Sequence, residues 1–337
     1  MARHDVMHQR TEEGPLPTSS GVRELVDRHA RVTPLLPAPA LSECLGCEVL
    51  LKAECLQVTG SFKVRGAAAR LEGLSPDERT RGIIACSSGN HGRAVSYVAG
   101  RAGIPARVFV PEWVDPVKLE GIRSGGAEAV LCGDTFDVSE AAAVKAAGEA
   151  GSIYISAYDD PWVIAGQGTI GLELVDQLEG RSVSAVLAPL SGGGLIAGVA
   201  GALAGVGLRP TIVGVSAQRA SVMLASVRAG RPVELPEEDT LANALAGGIG
   251  LDNRYSFALV RDRVDQYATV TEAQIAEAMR TAIGHLHMVV EGGGAVALAA
   301  ALAGAWQPVP EDDGVVVILL SGGNVSTETL VDVLGSG

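Results

Sequence analysis

The stretch GIIACSSGNHGRAVSYVAG, residues 82–100, decides the fold of this chain. It opens with an apolar run typical of a buried strand, passes through a short Ser/Gly turn, and continues with residues spaced as in a helix. A strand joined to a helix by so short a turn is the unit from which parallel α/β sheets are built. The sequence therefore predicts an α/β fold with buried, mostly parallel strands.

The same design occurs twice more, in PLSGGGL (189–195) and LSGGNV (320–325). Each stretch places a Ser/Gly turn directly after an apolar run. The carboxyl ends of parallel strands share one edge of a sheet, and the N–H groups of such turns attract anions there. We therefore expect the ligand site at this edge.

The composition fits this architecture and excludes several classes of protein. Glycine accounts for 43 of the 337 residues and aromatic residues for only 4%, so we expect a core of small aliphatic side chains with closely packed helices. Lys and Arg number 26 against 39 Asp and Glu, and the net charge of −13 repels nucleic-acid phosphates and anionic lipids. Neither nucleic acid nor a membrane is an expected partner.

The N-terminal segment and the cysteines indicate a cytoplasmic protein. Residues 1–20 are polar, lack the apolar core of a signal peptide, and are predicted to form a mobile extension. The five cysteines are odd in number in a large chain, as expected for reduced thiols. The C-x-x-C pair Cys44 and Cys47 has no second pair beside it, which favours a local structural role over zinc or redox chemistry.

The segment GQGTIG (166–171) matches the dinucleotide-binding pattern G-x-G-x-x-G. In that fingerprint the glycines follow a strand directly, and an acidic residue comes about 20 positions later. Here no Asp or Glu lies between Arg181 and Val233, and DDPWVIA (159–165) precedes the glycines. The pattern therefore indicates close helix packing, and a non-catalytic or oxidoreductase nucleotide-binding protein stays as the alternative from another functional class.

The turn SGGGL is the stronger candidate for binding a phosphate group. It lies inside the acid-free stretch and ahead of a helical segment, so its N–H groups can face an anion with no repelling carboxylate nearby in sequence. A P-loop is excluded because no G-K-[ST] follows, whereas a plain tight turn is the alternative. The residues expected to cradle the phosphate are Ser191, Gly192, Gly193, Gly194 and Leu195.

A phosphorylated cofactor outside the nucleotide class points to pyridoxal phosphate, which also needs a lysine for its Schiff base. Lys63 lies in TGSFKVRG (59–66), where small residues leave room for a cofactor to approach. Lys52 lies in a predicted strand, and Lys118 and Lys145 lie on helical stretches with surface-like spacing. Lys63 is therefore the candidate nucleophile, with a solvated lysine at a helix start as the alternative.

Five motifs in a fixed order resemble one family. Together they are similar to the serine/threonine dehydratase and serine racemase family of pyridoxal-phosphate enzymes, which have fold type II, similar to tryptophan synthase β. The similarity runs over residues 22–330, and within the family the chain looks most like the dehydratase of hydroxyectoine utilisation. The motifs are ECLQVTGSFKVRGA (54–67), SSGNHGRAVSYVA (87–99), IAGQGTIGLE (164–173), PLSGGGLIAG (189–198) and LLSGGNV (319–325).

The resemblance implies an architecture of two open, parallel-rich sheets with helices on both faces. The implied domains are a large cofactor-binding domain of residues 21–77 and 157–337, and a small substrate-side domain of residues 78–156. The cofactor would lie in the cleft between them. The family also implies a homodimer.

The resemblance further implies how the cofactor is held. Lys63 forms the Schiff base, Phe62 contacts the cofactor, and the SGGGL turn holds the phosphate. Asn90 lies beside the cofactor's 3′-oxygen, and Ser321 meets the pyridine nitrogen. A neutral hydroxyl at that nitrogen draws less charge from the ring than a carboxylate would, which favours elimination over transamination.

Several roles implied on the substrate side stay open. Ser88 is either the opposite-face acid/base of a racemase or a helix N-cap. His91 either shapes its turn or acts as a base. Glu291 is either an acid behind the cofactor or a charge at a helix N-terminus. The residues implied to bind the substrate carboxylate are Ser87, Ser88, Gly89, Asn90 and His91.

The implied activity is loss of water from a β-hydroxy α-amino acid, giving a 2-oxo acid and ammonia. Lys63 would remove the Cα proton as general base. The substrate would be threonine, serine or an amino acid derived from hydroxyectoine, and amino-acid racemisation is the alternative activity. No metal is expected, because Ser216 and Val222 stand where the racemase branch carries carboxylates.

Overall fold

The computed structural model describes residues 16–112, 114, 116–309 and 313–335. The strands in these ranges are β1 (Leu35–Pro37), β2 (Val49–Lys52), β3 (Ile83–Cys86), β4 (Ala106–Val110), β5 (Glu128–Leu131), β6 (Ile153–Tyr154), β7 (Val183–Pro189), β8 (Thr211–Ala217), β9 (Gln266–Val270) and β10 (Val315–Leu319).

The helices surround these strands. They are α1 (Ser19–Asp27), α2 (Pro39–Leu45), α3 (Lys63–Glu72), α4 (Pro76–Arg81), α5 (Asn90–Ala102), α6 (Pro116–Ser124), α7 (Phe136–Ala150), α8 (Pro161–Leu178), α9 (Gly194–Gly205), α10 (Val222–Ala229), α11 (Ser256–Arg263), α12 (Glu272–Leu286), α13 (Gly292–Leu302) and α14 (Thr327–Gly335). None of these helices is long and apolar enough to cross a membrane.

The strands form two sheets. The large sheet has the order β1-β2-β10-β7-β8-β9, and the small sheet has the order β5-β4-β3-β6. All neighbouring strands are parallel except the edge strand β1, which runs antiparallel to β2. The prediction of an α/β fold with two parallel-rich sheets is confirmed.

The large sheet is covered on both faces. Along β7, Ala185 and Leu187 face one core, whereas Val186 and Ala188 face the other, as the strand period of two requires. Helices α12 and α13 pack in the first core, and α8, α9 and α11 pack in the second. Burial on both faces explains why the strands contain runs of aliphatic residues rather than alternating polar ones.

The small sheet is built from a segment inserted between β2 and β7. Its β3 strand turns Ile83 and Ala85 toward α3 and α5, and it turns Ile84 and Cys86 toward α7. All four strands of this sheet fall inside residues 78–156, the range of the predicted small domain. The division of the chain into two domains stays a prediction.

One predicted boundary, the end of the N-terminal extension, was wrong. Helix α1 begins at Ser19, inside the predicted N-terminal extension, because the Thr18 hydroxyl caps it; residues 1–15 lie outside the described ranges. Helix α8 begins at Pro161, ahead of the first glycine of GQGTIG. The Asp160 carboxylate caps that helix by accepting hydrogen bonds from the N–H groups of the next turn.

The glycines of GQGTIG bring α8 into backbone contact with two other helices, as predicted. A Cβ atom on Gly166 would lie 2.5 Å from the Arg65 carbonyl oxygen of α3. One on Gly168 would lie 2.6 Å from the Gly198 carbonyl oxygen of α9. Only glycine permits so close an approach, so the interpretation of these residues as helix packing is confirmed.

A cluster of four buried charges joins β2, α3 and α8 beneath the sheet edge. The Arg65 guanidinium, fully buried, donates to both oxygens of Glu54 at 2.7 and 2.8 Å and to both oxygens of Glu173 at 2.5 and 3.0 Å. Lys52 Nζ donates to Glu173 at 2.6 Å. Two positive and two negative charges thus pair with one another inside the protein.

The pKa values in this cluster show how strongly the charges are coupled. Burial lowers the pKa of Lys52, because desolvation disfavours its ammonium form. Burial alone would raise the pKa of Glu54, but the charge of Arg65 holds it below its ordinary value. Removing one member therefore leaves a buried charge without compensation.

We expect Arg65→Met to lower the free energy of unfolding by about 3–5 kcal/mol, because Glu54 and Glu173 would keep only Lys52 as a cation. Thermal and urea unfolding of the cofactor-loaded protein, followed by circular dichroism, measure the loss. Glu149→Gln is the control, since Glu149 pairs with Lys145 on the exposed face of α7. It should change stability by less than about 0.5 kcal/mol. Equal stability of the two variants would contradict the role of the cluster.

Candidate active site

Three turns, those after β2, β10 and β7, lie at one edge of the large sheet, whereas the predicted Ser/Gly turn after β3 belongs to the small sheet, so the expectation of one shared edge was wrong for that turn. Strands β2, β10 and β7 are parallel neighbours, so the chain leaves all three at the same side. Backbone hydrogen bonds join the first two turns, from Phe62 N–H to Ser321 O at 3.1 Å and from Gly323 N–H to Gly60 O at 2.8 Å. The segments that carry Lys63 and Ser321 are therefore held against each other.

Lys63 is the first residue of α3, and its amine reaches the segment that follows β6 of the small sheet. Nζ donates to the Ala157 carbonyl oxygen at 2.8 Å and lies 5.1 Å from the centre of the Phe62 ring. Burial lowers the pKa of Lys63 to about 8, although the negative charge of Glu291 acts in the opposite direction. A substantial fraction of the amine is therefore neutral, and nucleophilic, near physiological pH.

The SGGGL turn leads from β7 into α9 and is shaped by the absence of side chains. A Cβ atom on Gly192 would lie 2.3 Å from Cγ of Tyr158, and one on Gly194 would lie 2.8 Å from the Tyr158 carbonyl oxygen. Gly193 has φ +84°, a left-handed conformation that favours glycine. Within the described residues, the buried N–H groups of Gly192 and Gly193 have no acceptor.

The segment after β6 closes this turn on one side. Ala157 accepts the bond from Lys63, Tyr158 packs on the glycines, and both oxygens of the Asp159 carboxylate accept N–H groups at the start of α11. Those N–H groups, each at 2.8 Å, belong to Arg254, Tyr255 and Ser256. Local sequence patterns do not reveal these residues, because the contacts of Ala157 and Asp159 join positions nearly one hundred apart.

The turn at residues 87–91 presents the N-terminus of α5. Its N-cap is Gly89, which supplies no capping side chain, and the Ser87 hydroxyl accepts from the Gly89 N–H at 3.1 Å. The interpretation of Ser88 as an N-cap was wrong, since no described residue hydrogen bonds with its hydroxyl. The open first turn of α5 can receive a carboxylate.

His91 is buried behind this turn and stays neutral. Its Nε2 donates to the Ile155 carbonyl oxygen at 3.1 Å, because a ring nitrogen facing a carbonyl must carry the proton. Burial and the nearby charge of Lys63 lower the pKa of His91 to about 3. This geometry favours the interpretation that His91 shapes the turn.

Glu291 lies at the N-cap of α13, but its side chain makes no capping bond. It is buried and accepts a hydrogen bond from Asn90 Nδ2 at 2.6 Å. Burial raises the pKa of Glu291 to about 7, whereas the Asn90 bond and the charges of Lys118 and Lys63 oppose that rise. The carboxyl group therefore faces the predicted cofactor residues rather than the helix.

These residues fit pyridoxal phosphate on structural grounds. The unpaired N–H groups and absent side chains of the SGGGL turn suit a phosphate, and Lys63 supplies the amine. The Ser61 hydroxyl, fully buried two residues before Lys63, has no hydrogen-bond partner in the described ranges. Because a buried hydroxyl group without a hydrogen-bond partner is unfavourable, a further polar group is expected beside Ser61. No group of three or more His, Cys, Asp and Glu residues that could hold a metal occurs in the same ranges.

We expect Gly192→Ala to weaken the binding of pyridoxal phosphate at least about tenfold, because the new methyl group collides with Tyr158 and distorts the phosphate turn. Cofactor retained after dialysis, measured by its absorbance, gives the affinity. Gly205→Ala at the other end of α9 is the matched control, since a Cβ atom there meets nothing within 4 Å. Equal retention by both variants would show that the turn does not hold the phosphate.

Comparison with known proteins places this site in a family. Residues 26–322 match the family described as pyridoxal-phosphate dependent enzyme. The chain is similar to the putative threonine dehydratase of Sinorhizobium fredii, with 41% identity over 90% of each chain. It is similar to the L-threonine ammonia-lyase of Geobacter sulfurreducens, with 38% identity over 94% of this chain and 78% of that one.

A solved structure gives the same result. The structure of maize serine racemase has a TM-score of 0.86 and 29% identity, covering 95% of this chain and 98% of that chain. This chain and maize serine racemase thus share one overall architecture. The predicted fold type II and the predicted cofactor are confirmed. The chain belongs to the family of pyridoxal-phosphate dependent enzymes.

Proposed function

We propose that this protein is an ammonia-lyase that removes water from a β-hydroxy α-amino acid and yields a 2-oxo acid and ammonia. The observation that carries the proposal is the position of Lys63. Its amine, with a pKa of about 8, hydrogen bonds to Ala157, next to the Tyr158 that packs on the glycine turn, and its charge acts on His91 in the first turn of α5. Relatives named threonine dehydratase and L-threonine ammonia-lyase support this reaction.

The proposed role of each site residue is the one that the family resemblance implies. The N–H groups from Ser191 to Leu195 would hold the phosphate, and Ser321 would face the pyridine nitrogen. The first turn of α5, from Ser87 to His91, would hold the substrate carboxylate. Phe62 and Asn90 would flank the ring, and Glu291 would accept from Asn90 behind it.

Pyridoxal phosphate, when bound, supplies an electron sink for the charge that develops at the substrate Cα. Lys63 Nζ takes the Cα proton as general base. The Cβ–O bond then breaks, and the leaving hydroxyl group takes up the proton that Lys63 removed from Cα and departs as water, which returns Lys63 to its neutral form. Hydrolysis of the released enamine gives the 2-oxo acid and ammonia.

The substrate class and the organisation of the protein are further parts of the proposal. Threonine, serine and an amino acid derived from hydroxyectoine all have the required β-hydroxyl group. Residues 78–156 would form a small substrate-side domain, with residues 21–77 and 157–337 forming the large one. We place the protein in the cytoplasm as a homodimer; five free cysteines support that location.

Amino-acid racemisation is the second candidate function. The Ser88 hydroxyl, partly exposed in the turn before α5, has no described hydrogen-bond partner and so is available to exchange a proton. The likeness to maize serine racemase also favours this activity. Racemisation would need Ser88 opposite Lys63, whereas elimination needs Lys63 alone.

We expect cofactor loading to follow the charge of Lys63. When the cofactor-free protein is mixed with pyridoxal phosphate, the rate of Schiff-base formation should rise with pH up to about 8 and then level off, because the neutral amine is the nucleophile. Stopped-flow absorbance measures the rate. A free lysine derivative is the control, and its rate should keep rising toward its ordinary pKa of about 10.4. The same profile for both would contradict the lowered pKa.

We expect the wild-type protein to release ammonia and a 2-oxo acid from a panel of L-threonine, L-serine, threo-3-hydroxyaspartate and hydroxyectoine-derived amino acids. Lys63→Ala should lower kcat at least about 10³-fold, because it removes both the nucleophile and the base. Lys145→Ala, on the exposed face of α7, is the control and should match the wild type.

The same assay separates the two candidate functions. Ser88→Ala should keep ammonia release within about threefold of wild type, because elimination does not use that hydroxyl. Chiral chromatography measures D-isomer at the same time. Formation of D-isomer without ammonia, lost in Ser88→Ala, would replace the dehydratase proposal with racemisation.

A further inference from the structure

A chain of side-chain hydrogen bonds joins two residues of α5 to two residues of the large-sheet part of the chain. Arg93 Nη1 donates to Asn324 Oδ1 at 2.8 Å, and Asn324 Nδ2 donates to Asn90 Oδ1 at 2.7 Å. Asn90 Nδ2 then donates to Glu291 Oε1 at 2.6 Å. Arg93 and Asn90 lie on α5, whereas Asn324 and Glu291 belong to the large-sheet part of the chain.

The direction of every bond in this chain is set by its first member. A guanidinium carries only donors, so Arg93 requires an acceptor and fixes Asn324 with its oxygen toward α5. The Asn324 amide nitrogen must then face Asn90, whose carbonyl oxygen accepts the bond. Asn90 is left with its amide nitrogen toward Glu291, and the reversed orientation of either amide would place donors against donors.

The orientation of Asn324 is also fixed by its surroundings. Its Nδ2 donates a second bond to the Thr59 carbonyl oxygen at 2.8 Å, so both amide hydrogens have acceptors. Gly60, with φ +76°, lets this side chain approach closely, since a Cβ atom there would lie 2.3 Å from Asn324 Oδ1. The contact between Gly60 and Asn324 thus involves the segment that carries Lys63.

In the described part of the chain, Arg93 also acts through its positive charge, which opposes the rise in the pKa of Glu291. It forms no ion pair with a described carboxylate, and its hydrogen bond goes to Asn324. Its guanidinium packs over Gly121 of α6, where a Cβ atom would lie 3.1 Å from Nη2. A half-buried cation held against a neutral amide indicates a role in orienting that amide.

We propose that Arg93 and Asn324 are positioning residues that fix the Asn90 amide as a hydrogen-bond donor toward the cofactor's 3′-oxygen. This inference rests on the proposed function, in which Asn90 flanks the cofactor ring. A donor stabilises the deprotonated form of that oxygen, whereas an acceptor would stabilise the protonated form. The two forms of the cofactor absorb at different wavelengths, so the orientation of Asn90 has a spectroscopic signature.

The test compares three substitutions of Arg93 in the cofactor-loaded protein. Arg93→Lys keeps a donor-only group and should keep the wild-type spectrum. Arg93→Met removes the donor, and Arg93→Glu replaces it with an acceptor, which favours reversal of both amides. The protonated form of the cofactor's 3′-oxygen, which absorbs in the near ultraviolet, should increase in the order Arg93→Lys, Arg93→Met, Arg93→Glu. The cofactor dissociation constant should rise about fivefold in Arg93→Glu.

Asn324→Asp is the second variant, because a carboxylate cannot donate to Asn90 and the backbone of α5 is unchanged. It should raise the near-ultraviolet share as Arg93→Glu does. Arg101→Met is the matched control, since Arg101 lies on the same helix, is exposed, and stacks on the Tyr97 ring. It should leave spectrum and affinity unchanged.

The outcomes separate this inference from the proposed function. A normal wild-type chromophore that keeps its spectrum, pH titration and affinity in Arg93→Met, Arg93→Glu and Asn324→Asp overturns the inference alone. A wild-type protein that forms no chromophore with pyridoxal phosphate overturns the proposed function and the inference with it. The graded series with rescue by Arg93→Lys supports the inference, because a purely structural role would not follow the donor count.

Discussion

The fully buried Arg65 guanidinium is the constraint on which the rest of the site depends. It holds Glu54, ahead of α3, and Glu173, on α8, and Lys52 at the end of β2 completes the neutral cluster. Since Lys63 lies two residues before Arg65, the first turn of α3 cannot rotate without breaking bonds to two buried carboxylates. The direction of the Lys63 side chain is therefore fixed by the buried ion cluster behind it.

The charges around the cleft explain how an acidic protein can bind an acidic cofactor. The net charge is −13, yet the phosphate turn lies within a stretch that has no acidic residue in sequence. Glu291 accepts a hydrogen bond from Asn90, and its raised pKa leaves its carboxyl group partly protonated near neutral pH. His91 adds no positive charge, so Lys63 is the group whose ionisation dominates the centre of the site.

Much of the fold and part of the site could be predicted from local sequence. Apolar runs followed by Ser/Gly turns located β3, β7 and β10, and the four-lysine inventory pointed to Lys63. Local patterns could not predict Ala157 beside the amine, Asp159 at the start of α11, or Glu173 in the ion cluster. Each of these acts across long stretches of chain through packing, which leaves no periodic signal. Asn324 was part of a quoted motif, but only the direction of its hydrogen bonds showed that Arg93 belongs with it.

Helix α8 separates the helix that begins at Lys63 from the helix that begins at the phosphate turn. It touches α3 through Gly166 and α9 through Gly168, in both cases against carbonyl oxygens of the neighbouring backbone. Side chains can change rotamer and absorb a shift, but backbone contacts cannot. The distance between the start of α3, at Lys63, and the glycine turn before α9 is therefore fixed. A ligand that contacts both Lys63 and the glycine turn must therefore match this distance in length.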